Sequence, residues 1–402
     1  MNFFRDTKVR NSIWIGLITS ISYVTCYYAK NVLSVTSPSI LSLKDEIFTV
    51  EYIGLLSTAN MLFYAIGQLV NGIIGDIFSP KLMICMGLFL SGLSFLLIPY
   101  SCNRILIVVS YSLSGFFLSM LYAPMVKLIA ENMHPRHAIN CCLGLTLASV
   151  IGGPIAGIFA LFLDWQSVFV VCSIAQIMMA IICFICLSAF EKRNIINWKP
   201  IARKETKIKG IQVLIRNGIV RFSFISILTG IVRTSVVFWI PTYLSQYLSF
   251  PDEITTTLFT VISFVQCLAP YVATIFIYDT IAKKNMNKSN IIMFICSMFS
   301  FVMMSVLENP VLNIVFLILA VLSANGVSAI LWNVYCPSLK DTGMVSTATG
   351  YLDFLSYLAA AVANLLFASA VTEIGWKPLI TVWALLMAVG VIIGIPIKKK
   401  KE

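Results

Sequence analysis

Two cations, Lys30 and Arg233, stand in stretches of sequence otherwise apolar enough to cross a bilayer. Arg233 lies in "GIVRTSVVFWIPTYL" (230–244), with no other charge between Arg221 and Asp252. Lys30 lies in "YYAKNVLSVTSP" (27–38). Moving a charge to the middle of a bilayer costs at least about 2.5 kcal/mol even on the lenient insertion scale, so such a side chain faces a cavity, a partner or a ligand. A guanidinium offers a planar fork that holds phosphate through two parallel hydrogen bonds, and an ammonium adds a compact charge; together they could clamp one doubly charged anion.

The other ionisable groups within apolar segments are Lys127, Arg221 and Asp353. Four cations against one acid make the interior net positive and suit it to anions. Tyr23, Tyr27, Lys30, Asn31 and Ser34 recur at three- and four-residue steps, a polar and aromatic stripe fit to line an aqueous path. Plainer uses compete with these. Lys30 and Arg233 could neutralise each other or Asp353, and Asp353 could instead carry a coupling proton. Lys127 could pair with Glu131 one turn on. Arg221, near a helix end, could snorkel.

The elements that must position these groups follow from composition. The chain has 402 residues, 59% hydrophobic and 11% charged, with a mean hydropathy of +0.92. That describes a polytopic, all-α membrane protein. Twelve apolar runs of spanning length are expected: about 12–40, 53–74, 82–101, 105–129, 139–163, 167–190, 218–248, 255–279, 290–307, 311–336, 345–371 and 378–397. The first carries Tyr27, Tyr28 and Lys30 and lacks a small-residue cleavage site, which reads as a retained helix. Six runs precede the polar stretch 191–217 and six follow it. This predicts an N-terminal six-helix bundle (1–190), a basic cytoplasmic linker (191–217) and a C-terminal bundle (218–402).

The halves repeat. Lys30 matches Arg233, Pro38 matches Pro241, Asp76 matches Asp279 and Lys81 matches Lys284, each pair 203 positions apart (233 less 30, and likewise for the rest). Arg233 is twelve residues, about 18 Å, beyond Arg221, near the middle of a core roughly 30 Å thick. The repeat puts Lys30 at the same level.

Basic residues set the orientation. With the N-terminus inside, the inner segments carry 21 and the outer loops only three: Lys44, Arg104 and Lys377. Both termini are therefore expected in the cytoplasm of a cell with this chain in its plasma membrane. The net charge of +11 is a topology signal and points to no nucleic acid. Eleven scattered cysteines, Cys183 and Cys186 among them, read as packing. His134 and His137 share one loop and suggest no catalysis. No nucleotide-binding GxxxxGK[ST] loop occurs, so a primary pump is not expected, nor an enzyme, a metal or a cofactor.

The two-times-six layout, the basic central stretch and "GIIGDIFSPK" (72–81) resemble the major facilitator superfamily, whose loop after the second helix has Gly-x-x-x-Asp followed by basic residues. "RTSVVFWIPTYL" (233–244) resembles the seventh helix of its organophosphate:phosphate antiporters, the glycerol-3-phosphate and hexose-phosphate transporters. "YYAKNVLSVTSP" is similar to their first helix, with lysine where arginine is usual, and "YAPMVK" (122–127) to their fourth. The resemblance implies that Lys30 and Arg233 bind a phosphoryl group, with Tyr23, Tyr27, Asn31, Lys127, Trp239 and Tyr243 around the substrate. It also implies that Gly72, Asp76 and Lys81, and Asp279 and Lys284, form gating loops. The expected activity is secondary transport of an organic phosphate or similar small anion by alternating access, in exchange for inorganic phosphate, by a monomer. A proton-coupled drug or metabolite exporter and a transporter-like sensor of sugar phosphates are the alternatives. "GLTLASVIGGPIAG" (144–157) could be the drug antiporters' glycine-and-proline motif or a close helix contact.

Overall fold

A computed structural model describes residues 7–42, 48, 50–197 and 211–395. The chain termini and most of the expected linker (198–210) lie outside the described residues, as does most of the loop at 43–49. Hydrocarbon offers no hydrogen bonds, so a chain this apolar must satisfy its backbone within each segment, and helices do so. Twelve long helical rods result, with no strand among the described residues.

They are α1 (Thr7–Ser42), α2 (Val50–Ile77), α3 (Pro80–Leu97), α4 (Arg104–Asn132), α5 (Pro135–Phe162), α6 (Trp165–Lys192) and α7 (Ile219–Tyr247). There follow α8 (segments Asp252–Gln266, Ala269–Tyr271 and Val272–Ile281), α9 (Met286–Val306), α10 (Pro310–Thr342), α11 (Val345–Glu373) and α12 (Trp376–Gly394). One further turn of helix, Ile211–Arg216, precedes α7. Ten of the rods are long and apolar enough to cross a membrane; the other two, α1 and α11, have 36 and 29 residues. Several starts are capped by a side chain that accepts an otherwise orphaned backbone N–H: Asn103 from Ile105 (2.9 Å), Asp164 from Ser167 (3.2 Å), Asn285 from Lys288 (3.1 Å) and Asn309 from Val311 (3.0 Å).

The rods group into two compact units. The first holds the described residues up to Leu214 together with Cys336–Phe354, and the second holds Ile215–Tyr335 and the residues from Leu355 on. In the first, α1 packs on α5 and α6, α2 on α4, and α3 on α4 and α6. The glycines of "GLTLASVIGGPIAG" serve the α1–α5 contact: a Cβ on Gly152 would press into Tyr27 and come within 2.7 Å of the Tyr28 backbone nitrogen. In the second unit α9 packs on α10 and α12, α7 on the same two, and α8 on α10. Arg221 there reaches across to α12. Its Nε donates to the Ile393 carbonyl at 2.7 Å and its Nη2 to that of Gly394, so it caps the end of α12, where cations suit the free carbonyls.

Candidate functional site

In the first unit α1 carries its stripe against aromatic neighbours. The Lys30 Nζ is 3.5 Å from the ring centroid of Tyr64 on α2 and 4.8 Å from that of Tyr27. Tyr23 meets Tyr27 edge-on at 5.1 Å and stacks on Tyr122 of α4 at 5.4 Å. Lys30, Tyr23 and Tyr27 thus come together, half-buried or buried, with Tyr64 and Tyr122 beside them. Asn31 turns back to the Tyr27 carbonyl (2.7 Å). An ammonium over two phenol rings is held by their negative faces. Tyr64 was not singled out in the sequence. Its signal is the polar series Asn60, Tyr64, Gln68 and Asn71 along α2, and Gln68 Nε2 donates to the Tyr64 hydroxyl at 2.5 Å.

Lys127 lies elsewhere. Its ammonium donates to the carbonyls of Gly75 (3.0 Å) and Asp76 (3.1 Å) and lies 3.7 Å from the Asp76 carboxylate. The ion pair is with α2, where sequence spacing had pointed to Glu131 on its own helix, because the end of α2 presents both a carboxylate and free carbonyls to it. Asp76 in turn accepts the backbone N–H groups of Ser346 (3.0 Å) and Thr347 (2.7 Å) at the start of α11. Gly72 makes room: a Cβ there would meet the Gly350 Cα and the Ser346 carbonyl oxygen, each at 2.9 Å. Lys81 goes to a different partner, Glu191 at the end of α6 (2.5 Å), and to the Ser188 hydroxyl (3.4 Å).

Asp279 and Lys284, the counterparts of Asp76 and Lys81 by position, have other surroundings. Both are exposed, and Lys283 and Lys284 have positive φ (51° and 62°) where the chain turns from α8 to α9. The repeat therefore holds in place but not in environment.

In the second unit Arg233 stands fourteen residues from each end of α7. The helix widens there: over Ile231–Val236 its bonds skip to the fifth residue, as in Val237 N–H to the Val232 carbonyl. Pro241 is the cause at hand, since it lacks the N–H that the Val237 carbonyl would accept, and a broadened turn takes up the strain. Such turns occur often at functional positions because they turn backbone groups and side chains out of register. Arg233 is half-buried, its Cζ 5.8 Å from the ring centroid of Tyr357 on α11.

Trp239 and Tyr243 sit closer to the far end of α7. Ten residues, about 15 Å of rise, separate Tyr243 from Arg233. Tyr243 is buried, donates its hydroxyl to Asn313 Oδ1 (2.9 Å), stacks on Tyr247 (5.3 Å) and meets Trp376 edge-on at 5.5 Å. Trp239 lies 6.5 Å from Trp376 in the same aromatic group. The structure does not bring Tyr243 to Arg233. Asp353, 5% exposed, lies two turns into α11. No cluster of three or more metal-ligating side chains occurs among the described residues.

Comparison with known proteins bears on this arrangement. The chain aligns over 96% of its length with the solved structure of a proton:xylose symporter, XylE, bound to 6-bromo-6-deoxy-D-glucose, at a TM-score of 0.72, 12% identity and 95% coverage of that chain. It aligns equally far with the human organic anion transporter MFSD10, at a TM-score of 0.69, 13% identity and 99% coverage. At such identities these matches speak for the fold alone. No curated protein matches by sequence. Residues 19–364 match the family profile described as Major Facilitator Superfamily, and with twelve rods in two units and intramembrane charges placed as above, the chain belongs to that superfamily of transporters.

Proposed function

We propose that the chain moves an organic phosphate or a similar small anion by alternating access, in exchange for inorganic phosphate. One observation carries the reading: a guanidinium held half-buried at the midpoint of α7, at the turn where that helix widens. In this reading Arg233 supplies the fork for a phosphoryl group, and Lys30, steadied over Tyr64 and Tyr27, supplies a positive charge for the same substrate class. That one structural neighbour is by name an organic anion transporter agrees with this. The protein works as a monomer in the plasma membrane, with both termini cytoplasmic, as the 21-to-3 division of basic residues favours.

Asp76 and Lys127 act as a latch in this scheme. The bonds of Asp76 to the start of α11 form and break as access alternates. A second reading, a proton-coupled exporter of drugs or metabolites, is favoured by Asp353, a carboxyl group almost wholly buried in α11.

Purified protein in liposomes preloaded with labelled phosphate separates the two. External organic phosphates should accelerate loss of the label. Saturable movement of a lipophilic cationic dye, indifferent to phosphate esters, would give the case to the exporter.

A further inference from the structure

Within the second unit, α8 is interrupted in mid-span. Its first segment ends at Gln266; Cys267 and Leu268 then turn back to the carbonyls of Phe264 (3.1 Å) and Val265 (3.0 Å). Pro270 explains the break, because it has no N–H to offer the Gln266 carbonyl four residues before it. Interrupted helices are tolerated at membrane depth where they line a cavity or bury against protein, and in transporters they mark binding positions.

Gln266 faces Asn325 of α10 at this break, with Asn325 Nδ2 donating to Gln266 Oε1 at 3.3 Å. Gly326 permits the approach: a Cβ on it would stand 3.1 Å from the Ala273 Cβ of α8. The other atom of each amide, Gln266 Nε2 and Asn325 Oδ1, is buried with no hydrogen-bond partner among the described residues. One buried donor atom and one buried acceptor atom are thus left on the same pair of side chains. Exchanging oxygen and nitrogen in both amides leaves the same set, so the conclusion does not depend on that assignment.

Counted in residues along the helices, the pair falls near the level of Arg233. Fourteen residues separate Arg233 from Tyr247 and Gln266 from Asp252, about 21 Å of rise, and fifteen separate Asn325 from Pro310, about 22 Å. The three helix ends belong to one membrane face, since the chain crosses once in α8 and once back in α9 between them.

We infer that Gln266 and Asn325 form a second subsite, resting on the anion reading of Arg233, that binds a neutral group of the substrate which accepts one hydrogen bond and donates one. A hydroxyl is the smallest such group. An ionised phosphate oxygen would accept from Gln266 but has no proton for Asn325, whose oxygen would repel it, so the amides are unsuited to the charged end of a substrate. Arg233 takes the anion and the amides read what is attached to it. Inorganic phosphate fills only the first position. An analogue lacking the hydroxyl leaves two buried polar atoms unpaired, which is where selectivity arises.

The test is equilibrium binding to the purified full-length chain of 2,3-dihydroxypropyl phosphate, propyl phosphate and inorganic phosphate. Wild type should bind the dihydroxy ester roughly 10- to 100-fold more tightly than propyl phosphate. Gln266→Leu and Asn325→Leu should each cut that ratio to about threefold or less while leaving the affinity for inorganic phosphate unchanged. Equal binding of the two esters by wild type, which needs no variant to fold, overturns the inference, as does full discrimination by either variant. If none of the three binds, the anion reading fails and this inference falls with it; if all bind without discrimination, this inference fails alone.

Discussion

Asp76 Oδ2 accepts the backbone N–H of Thr347 at 2.7 Å, while Oδ1 accepts that of Ser346 at 3.0 Å, so a carboxylate at the end of α2 caps the start of α11. A helix N-terminus holds free N–H groups and a partial positive charge, and an anion placed there satisfies both. The Lys127 ammonium lies 3.7 Å from the same carboxylate.

Asp76→Asn should therefore loosen the first turn of α11. The amides of residues 346 and 347 should lose protection against hydrogen exchange by about 0.3–1 kcal/mol, the scale of a charge at a helix N-terminus, since one amide oxygen remains to accept. Lys127→Met should do the same indirectly, and the double variant should cost less than the two singles together, because the groups share one network. Unchanged protection in Asp76→Asn would remove the latch.

Gly350 offers a steric test of the same contact. A Cβ added there would press on the Gln68 carbonyl oxygen and approach the Gly72 Cα to 2.7 Å, backbone against backbone, where no rotamer change can relieve it. Gly350→Ala should destabilise the protein by roughly 1–3 kcal/mol. Thermal unfolding of purified protein checks this. Gly157→Ala, whose Cβ would meet nothing within 4 Å, serves as the control and should leave the transition in place.

The cradle under Lys30 predicts a graded series. Tyr64→Phe keeps the ring and should alter substrate affinity little, whereas Tyr64→Leu removes a cation–π contact worth about 0.5–2 kcal/mol and should weaken binding by about two- to thirtyfold. Lys30→Gln should be damaging. Titrations of organic phosphate binding to each variant decide it; equal losses in Tyr64→Phe and Tyr64→Leu would point to the hydroxyl instead.

Much of the fold was legible because the bilayer leaves so few options. A run of twenty apolar residues must be helical there, and the expected spans match the observed rods to within a few residues. The expected 139–163 is Pro135–Phe162, and the expected 345–371 is Val345–Glu373. The stripe from Tyr23 to Asn31 was readable because one helix holds all of it. What periodicity could not reveal depends on which helices meet: Tyr64 under Lys30, Asp76 on α11, and Gln266 against Asn325. Nor did it reveal the widened turn at Arg233, although Pro241 is its sequence mark.

Tyr243 separates resemblance from geometry. The seventh-helix motif suggested a role in substrate binding, yet its hydroxyl is given to Asn313 and its ring to Trp376, about 15 Å of helix from Arg233. Tyr243→Phe should lower stability by about 1 kcal/mol, the worth of one hydrogen bond, and leave anion affinity within twofold of wild type. A tenfold loss of affinity with stability intact would restore the motif's implication.

The central claim is that Arg233 holds a phosphoryl group through its fork and not merely through its charge. Equilibrium binding of inorganic phosphate to wild type, Arg233→Lys and Lys30→Arg tests it most directly, with thermal unfolding confirming that each variant is folded. An ammonium cannot make two parallel hydrogen bonds to one phosphate, so Arg233→Lys should lose at least about tenfold in affinity, while Lys30→Arg should stay within about threefold. A folded Arg233→Lys that binds phosphate as tightly as wild type would contradict the account.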